Sequence, residues 1–377
     1  MDFGLTREQE MLRDTVSEFA QRELAPRALT LDEKGEFPHD IVKKAADLGL
    51  VGIIVSREYG GSAMGHLARM ITIEELSRIY PSLGFFLQTG PIGMYIIENS
   101  GTEEMKNKYL PPLCKAESII ATALTEPTGG SDAGTINTVA ERVGDEYVLN
   151  GRKVMISEAS VCDLAIIVAK TGERASAFLL ERGMPGFETP RRENYPGLRS
   201  IPVGDIVLTN CHVPASNLIG EEGRGLGVAL GGIGAIGRTG VAGVGLGTAQ
   251  GCYDAAVKYA KERILYGKPI AELQAIQYML VDSNMEIESA RWLCYYCAWL
   301  LDQGKSPREA GTAIARSKLI ACDIASQVAL RAIQIMGGYG TIPEYEIVRR
   351  LNDAIQLFTA AGTQEIMKNT IAQAILS

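Results

Sequence analysis

Histidine is scarce: the 377-residue chain holds three, His39, His66 and His212, no two of them close in sequence. Histidine-rich metal sites and His-based catalytic triads therefore have little material. No Lys/Arg block occurs, and 37 basic against 45 acidic residues leave a formal charge of −8. Duplex binding needs clustered cations to neutralise phosphates, so nucleic-acid binding is disfavoured. The start, Met1-Asp2-Phe3-Gly4-Leu5-Thr6-Arg7-Glu8, lacks the basic-then-apolar order of a secretory signal. No apolar run reads as long enough to span a bilayer, because the Gly-rich stretch 225–247 is broken by Arg238. A cytoplasmic protein with no membrane insertion is expected. The seven cysteines (114, 162, 211, 252, 294, 297 and 322) are scattered and odd in number, which fits thiols rather than a disulfide framework. Cys294 and Cys297 form a CxxC within a stretch that reads as mid-helix, with no second CxxC. Buried helix cysteines account for the pair better than zinc does.

What is present is core-forming. With 46% hydrophobic and 22% charged residues the chain is globular, and at about 150 residues per domain it makes two to three units. Three zones follow from its periodicity. Residues 1–117 read as helical: Thr6 caps a first helix with Leu12, Val16, Phe19 and Ala20 at helical spacing and Pro26 stopping it, and further helices are expected near 39–49, 63–79, 91–99 and 102–109. Residues 118–220 change to short strands, near 138–143, 146–149, 154–157, 164–169 and 177–180, with Asn150-Gly151 as a hairpin turn. Residues 221–377 return to helix, with Leu273, Ile276, Leu280, Ile287, Cys294 and Leu301 on one face of a long helix ended by Gly304. Ser306-Pro307-Arg308-Glu309 then opens the next. The expected class is α+β multidomain: helices, an antiparallel β domain, then a long-helix bundle.

Gly232-Ile233-Gly234-Ala235-Ile236-Gly237 satisfies GxGxxG, with Asp254 standing 17 positions after Gly237. A dinucleotide turn needs a strand before the glycines and a βαβ unit around them. That context is missing, and Gly223 to Gly251 holds twelve glycines, so a chance match within a closely packed helix is the better reading.

The Thr125-Glu126-Pro127-Thr128-Gly129-Gly130-Ser131-Asp132 turn offers hydroxyls beside free backbone N–H groups. It is followed by Tyr147-Val148-Leu149-Asn150-Gly151-Arg152-Lys153-Val154-Met155-Ile156-Ser157, by Arg263 to Ile270 with Leu273-Gln274, by Gln334-Ile335-Met336-Gly337-Gly338-Tyr339-Gly340, and by Ala360-Ala361-Gly362-Thr363. In this order the chain resembles the acyl-CoA dehydrogenase family, from the first helix to the last residue. The resemblance implies an N-terminal helical domain, a central β-barrel-like domain and a C-terminal four-helix bundle, assembled as a homotetramer. It also implies one FAD per subunit, with adenine and pyrophosphate contacts lent by a neighbouring subunit, an acyl-CoA substrate, and an electron-transferring flavoprotein as electron acceptor.

Carried over residue by residue, Thr122, Leu124, Thr125, Gly130 and Ser131 belong beside the flavin, with Ser131 also near the acyl-CoA. Met155, Ile156 and Ser157 belong along the isoalloxazine, with Met155 standing where the family commonly has Trp. Arg263, Gln274, Gln334, Gly337 and Gly338 belong on the pyrophosphate and ADP part, and Thr363 and Glu365 in the last flavin-contacting stretch. Arg238 matches the arginine on the CoA side. The acyl cavity is expected in Leu87 to Tyr95, with Gln88, Pro91 and Tyr95 among its residues and Gly362 beside the substrate.

One part of the pattern fails. Dehydrogenation needs a carboxylate that removes the α proton, and the two positions at which the family places it hold Ala361 and Gly237. Gly234, Ala235 and Gly237 are also small, which leaves room for a ring or branched acyl group. No acid lies within Leu87 to Tyr95, and Glu98 is the nearest. The readings that follow are dehydrogenation of an alicyclic or branched acyl-CoA with a base elsewhere, an elimination such as desulfination, a base-lacking subunit of a heteromer, or a scaffold relative without redox work.

Overall fold

The computed structural model describes residues 4–377. The reading of the N-terminal octapeptide falls in part on Met1, Asp2 and Phe3, outside the described residues. Six helices come first: α1 (Arg7–Phe19), α2 (Ala28–Lys34), α3 (His39–Asp47), α4 (Gly65–Ile79), α5 (Pro81–Ser100) and α6 (Glu103–Cys114). Thr6 caps α1 in a capping box with Gln9, and Thr102 caps α6 through the Met105 N–H. Strands follow: β1 (Ile120–Ala123), β2 (Val139–Val143), β3 (Glu146–Ile156), β4 (Leu164–Thr171), β5 (Arg174–Glu181), β6 (Phe187–Glu188), β7 (Gly204–Pro214) and β8 (Leu218–Ile219). The rest is helical apart from the short β9 (Ile264–Leu265) and β10 (Lys268–Pro269): α7 (Gly225–Gly232), α8 (Thr239–Glu262), α9 (Gln274–Asp302), α10 (Gly311–Met336), α11 (Ile347–Leu357) and α12 (Gln364–Leu376).

Helical domains on either side of a β domain are therefore what the chain forms. The sheet is mixed rather than wholly antiparallel, and it is not a closed barrel: its strands run β6-β7-β3-β2-β4-β5-β8, and β1 pairs β4 in parallel. The parallel pairing arises because β1 arrives from α6 and crosses to β4 without a hairpin.

Asn150-Gly151 is not a turn. It lies inside β3, where the register with β7 slips between Leu149 and Gly151, and the tight turn is Gly144-Asp145 between Val143 and Glu146. Asn150 accepts from the Asn210 N–H at 2.7 Å and so holds the bulge. Glycine is needed at 151 because a Cβ there would lie 2.7 Å from Thr138 Cα. An Asn-Gly pair serves a bulge as readily as a hairpin.

Gly232 to Gly237 is not a nucleotide turn. The Ile233–Arg238 segment is a π-helical turn joining α7 to α8 within one helical stretch. The glycines of α8 allow backbone contact: a Cβ at Gly247 would sit 2.2 Å from the Glu74 carbonyl oxygen on α4, and one at Gly245 2.6 Å from that of Ala321 on α10. Cys294 and Cys297 are buried on α9. Ser306 and Glu309 form a reciprocal cap, with the helix proper starting at Gly311.

Two helical stretches, Gly225–Glu262 and Gly311–Thr341, are long and apolar enough to cross a bilayer, contrary to the expectation from sequence. Their apolarity comes from glycine and alanine as much as from long side chains, so no continuous run stands out. Inside the protein, 67% and 50% of their most apolar windows is buried.

Candidate active site

The β domain meets both helical domains around a cavity of about 700 Å³, within the usual range for small-molecule and cofactor sites. Its walls come from α5 (Phe85, Gln88, Thr89, Ile92), the turn after β1 (Thr125 to Ser131), the end of β3 (Met155 to Glu158), the π-helical turn (Ile233, Arg238) and the segment 359–363.

A buried ion pair sets the first two strand-borne walls against each other. Lys153 Nζ lies 2.7 Å from Glu126 Oε1 and 3.1 Å from the Leu124 carbonyl oxygen, and Val154 N–H donates to the Thr125 carbonyl at 3.0 Å. Glu126 also accepts from the N–H groups of Asn137 and Thr138. Burial pushes its carboxyl up, but the bonds from Lys153 and Thr138 outweigh it and hold the group below the usual range. Burial lowers Lys153 more than Glu126 raises it. The cationic and anionic ends thus fix the Thr125–Ser131 turn beside Met155, Ile156 and Ser157.

Arg69 organises the helical side. It is 2% exposed, and it donates to the Ile236 carbonyl at 2.8 Å, to Thr239 Oγ1 at 2.6 Å and to the Leu87 carbonyl at 3.4 Å. One guanidinium therefore satisfies an acceptor at the π-helical turn and ties it to α5. Burial lowers its pKa to about 9.

The 358–363 segment is held by two more cations. Lys318 Nζ donates to the carbonyls of Phe358 at 3.1 Å and Gly362 at 2.7 Å, and Arg238 Nε donates to that of Ala361 at 3.2 Å. Ala361 has φ 54° and Gly362 φ 105°, so the backbone turns sharply before Thr363 caps α12 through the Ile366 N–H. Burial pulls the Arg238 and Lys318 pKa values down.

The structure brings many of the sequence-derived residues to this cavity: Thr122, Leu124, Thr125, Gly130, Ser131, Met155, Ile156, Ser157, Gln88, Arg238, Ala361, Gly362 and Thr363. The two positions that lack an acid are neighbours, since a Cβ on Gly237 would lie 3.4 Å from Ala361 Cβ. Pro91 and Tyr95 do not line the cavity. Phe85, Thr89 and Ile92 do; with Gln88 they share one face of α5, Thr89 and Ile92 falling in the expected Leu87 to Tyr95 segment, whereas Pro91 is on another face and Tyr95 lies a turn beyond. Gly234 adds no room, since a Cβ there would face Pro307 at 3.6 Å.

Arg263, Gln274, Gln334, Gly337, Gly338 and Glu365 are not at the cavity either. They are exposed, and Arg263 lies over the Tyr339 ring at 5.9 Å, which brings the end of α8 beside the turn after α10. Glu98 accepts from Ser56 N–H and Oγ and is no cavity acid. The cavity carboxyl is Glu158, which the sequence reading passed over because it follows Ser157 in a segment read for flavin contacts alone. Among the described residues, three buried polar atoms at the cavity have no partner, Gln88 Oε1, Thr122 Oγ1 and Glu158 Oε2. Orphaned polar atoms at a cavity are acceptors and donors placed for a ligand.

Three acyl-CoA dehydrogenase domain families match in order along the chain: the N-terminal domain at residues 6–117, the middle domain at 121–211 and the C-terminal domain at 223–376. The chain belongs to the acyl-CoA dehydrogenase family. It is 39% identical to the short-chain specific acyl-CoA dehydrogenase of Clostridium acetobutylicum over 99% of both chains. It is 37% identical to CarC, a subunit of the caffeyl-CoA reductase–Etf complex of Acetobacterium woodii, over 98% of both. The solved butyryl-CoA dehydrogenase of Megasphaera elsdenii superposes with a TM-score of 0.96 at 34% identity, over 100% of both chains.

Proposed function

We propose that this protein, an FAD-dependent oxidoreductase acting on the CH–CH bond of an acyl-CoA, works on an alicyclic or branched acyl group without the glutamate base usual in its family. The observation that carries the reading is the convergence of Thr122 to Ser131, Met155 to Ser157, Arg238 and Ala361 to Thr363 on one cavity, while positions 237 and 361 together present no acid.

The cavity residues fit FAD. Thr122 Oγ1 is buried without a partner, and Thr125 and Ser131 add hydroxyls along the same wall. When bound, FAD supplies the group that accepts or returns a hydride. Thr122, Thr125 and Ser131 hold its polar edge, and Met155, half exposed with its Sδ 3.0 Å from Tyr195 Oη, covers it with a polarizable side chain. Arg238 binds the CoA side while fixing the Ala361 carbonyl. Arg263, Gln274, Gln334, Gly337 and Gly338, exposed and away from this cavity, serve the ADP part of a cofactor seated in a neighbouring copy. A homotetramer is the proposed assembly; α9 supports it by exposing Tyr278, Val281, Met285, Tyr296 and Trp299, a stripe of the kind that marks an interface. An electron-transferring flavoprotein is the proposed redox partner, as CarC's Etf complex supports. Seven buried free cysteines fit a reducing, cytoplasmic setting.

The test is the visible spectrum of the purified protein titrated anaerobically with linear, branched and alicyclic acyl-CoAs. A flavin band that responds most strongly to branched or alicyclic esters supports the reading. A colourless protein, or a strict preference for linear esters, contradicts it.

A further inference from the structure

Glu158 is the one carboxyl among the described residues that line the cavity. It is 0% exposed and sits at φ 61°, a left-handed backbone that non-glycine residues rarely adopt. Its Oε1 lies 2.5 Å from Thr89 Oγ1 on α5, and its Oε2 has no partner. Among the described residues no salt bridge neutralises it. Arg182, which ends the next hairpin, is occupied by the Cys162 and Ala159 carbonyls, and Arg238, the cation lining the cavity, donates to Ala361. Cys162 faces it as a thiol whose own pKa is raised to about 11, and Tyr195 lines the cavity as a phenol raised by burial.

We propose that Glu158 is the proton-transfer group of this site, taking the place of the acid that positions 237 and 361 lack. The proposal rests on the reading that an acyl-CoA occupies the cavity. In one direction the α C–H bond breaks, its electron pair stays on the thioester as an enolate, and the proton goes to Glu158 Oε2. In the other, neutral Glu158 returns that proton to the α carbon. No electron acceptor enters this step. Gln88 links the two places: a Cβ on Gly237 would lie 3.4 Å from Gln88 Nε2, and the next residue, Thr89, carries the hydroxyl bound to Glu158. Glu158 and the vacated position 361 thus line the same cavity. Burial pushes the Glu158 carboxyl up to about 8, with Thr89 opposing. It is mostly neutral at pH 7, ready as an acid, and gains base character above. Thr89 is its positioning residue.

The experiment is α-hydrogen exchange in D2O, followed by mass spectrometry on the FAD-loaded protein with butyryl-CoA, 3-phenylpropionyl-CoA and cyclohexanecarbonyl-CoA and no electron acceptor. The flavin band in the same samples reports binding. Exchange should rise with pH to a plateau through a midpoint near 8. Glu158→Gln should lower it by about 10²- to 10⁴-fold with the flavin response to ligand kept. Thr89→Val should retain exchange but move the midpoint upward, because the lost hydrogen bond lowers the carboxyl's pKa. Exchange at the wild-type rate in Glu158→Gln, an unmoved midpoint in Thr89→Val, or a wild type that binds all three esters and exchanges none would overturn the role of Glu158 alone. A protein without flavin, or one whose band responds to none of the esters, removes the functional reading beneath it as well.

Discussion

Replacing Lys153 with Met tests how the flavin-side walls are held. The ammonium is 0% exposed and the Glu126 carboxylate 3%, so the substitution leaves a buried anion with backbone donors from Asn137 and Thr138 but no cation. Breaking a buried pair from one side costs about 3–5 kcal/mol. With an unfolding entropy of about 2.1 cal/mol/K per residue, the whole chain as one cooperative unit loses about 1.3 °C of Tm per kcal/mol, or roughly 4–6 °C. Replacing both partners, as Glu126→Gln with Lys153→Met, removes the uncompensated charge and should recover at least half of that shift. The single variant should also recover at acid pH, where Glu126 takes up a proton. Thermal unfolding of the three proteins by circular dichroism decides the matter, with FAD content measured alongside. A double variant no more stable than Lys153→Met would refute the argument, because the damage would then come from lost packing and not from the stranded charge.

Arg238→Ala should weaken acyl-CoA binding by about 10- to 150-fold, the range of a hydrogen bond to a charged group, and leave FAD content unchanged; loss of FAD would contradict its assignment. Arg263→Ala should lower FAD retention through gel filtration without altering acyl-CoA affinity in the protein that stays loaded, and full retention would remove that residue from the cofactor site. Ala361→Glu should raise dehydrogenation of butyryl-CoA, since residue 361 borders the cavity and already holds the left-handed backbone; no gain in activity would mean that a carboxylate at 361 does not reach the substrate. Asp353 is buried, accepts from the Leu198 N–H and has its carboxyl raised to about 7 by burial. Its unfolded form titrates near pH 4, so the folded protein binds the extra proton between those values and stability falls as pH rises from about 4 to about 7. Asp353→Asn should flatten that slope in urea unfolding at pH 5 and 7.5, and an unchanged slope would place the titration elsewhere.

The helical and sheet zones were legible because periodicity, caps and punctuation agree locally. Thr6 and Gly304 act where the sequence placed them. Failures came where distant groups decide the local shape. Asn150-Gly151 reads as a hairpin until Thr138 and Asn210 are known to lie against it. The glycines near Gly237 were no such failure: the missing strand already spoke against a nucleotide loop, and Glu74 and Ala321 show why α8 needs Gly247 and Gly245. The candidate site divides in the same way. Motif order singled out Thr125, Ser157, Arg238 and Thr363, which line the cavity, yet the residues that hold its walls, Arg69, Lys318 and the Lys153–Glu126 pair, carry no local signal. Pairing across 18 to 170 residues separates those cations from their acceptors. Glu158 escaped for a related reason: an acid two residues after Ile156 reads as a surface turn unless its burial against Thr89 is known.

On the proposed reading this cavity moves two hydrogens across the Cα–Cβ bond of an acyl-CoA. The most direct measurement is an anaerobic single turnover of the purified protein with cyclohexanecarbonyl-CoA and 3-phenylpropionyl-CoA, following the flavin spectrum and the mass of the recovered ester together. For at least one ester the flavin should bleach in step with the ester losing two hydrogen atoms. A fully loaded flavoprotein that binds both esters but leaves their masses unchanged would contradict it.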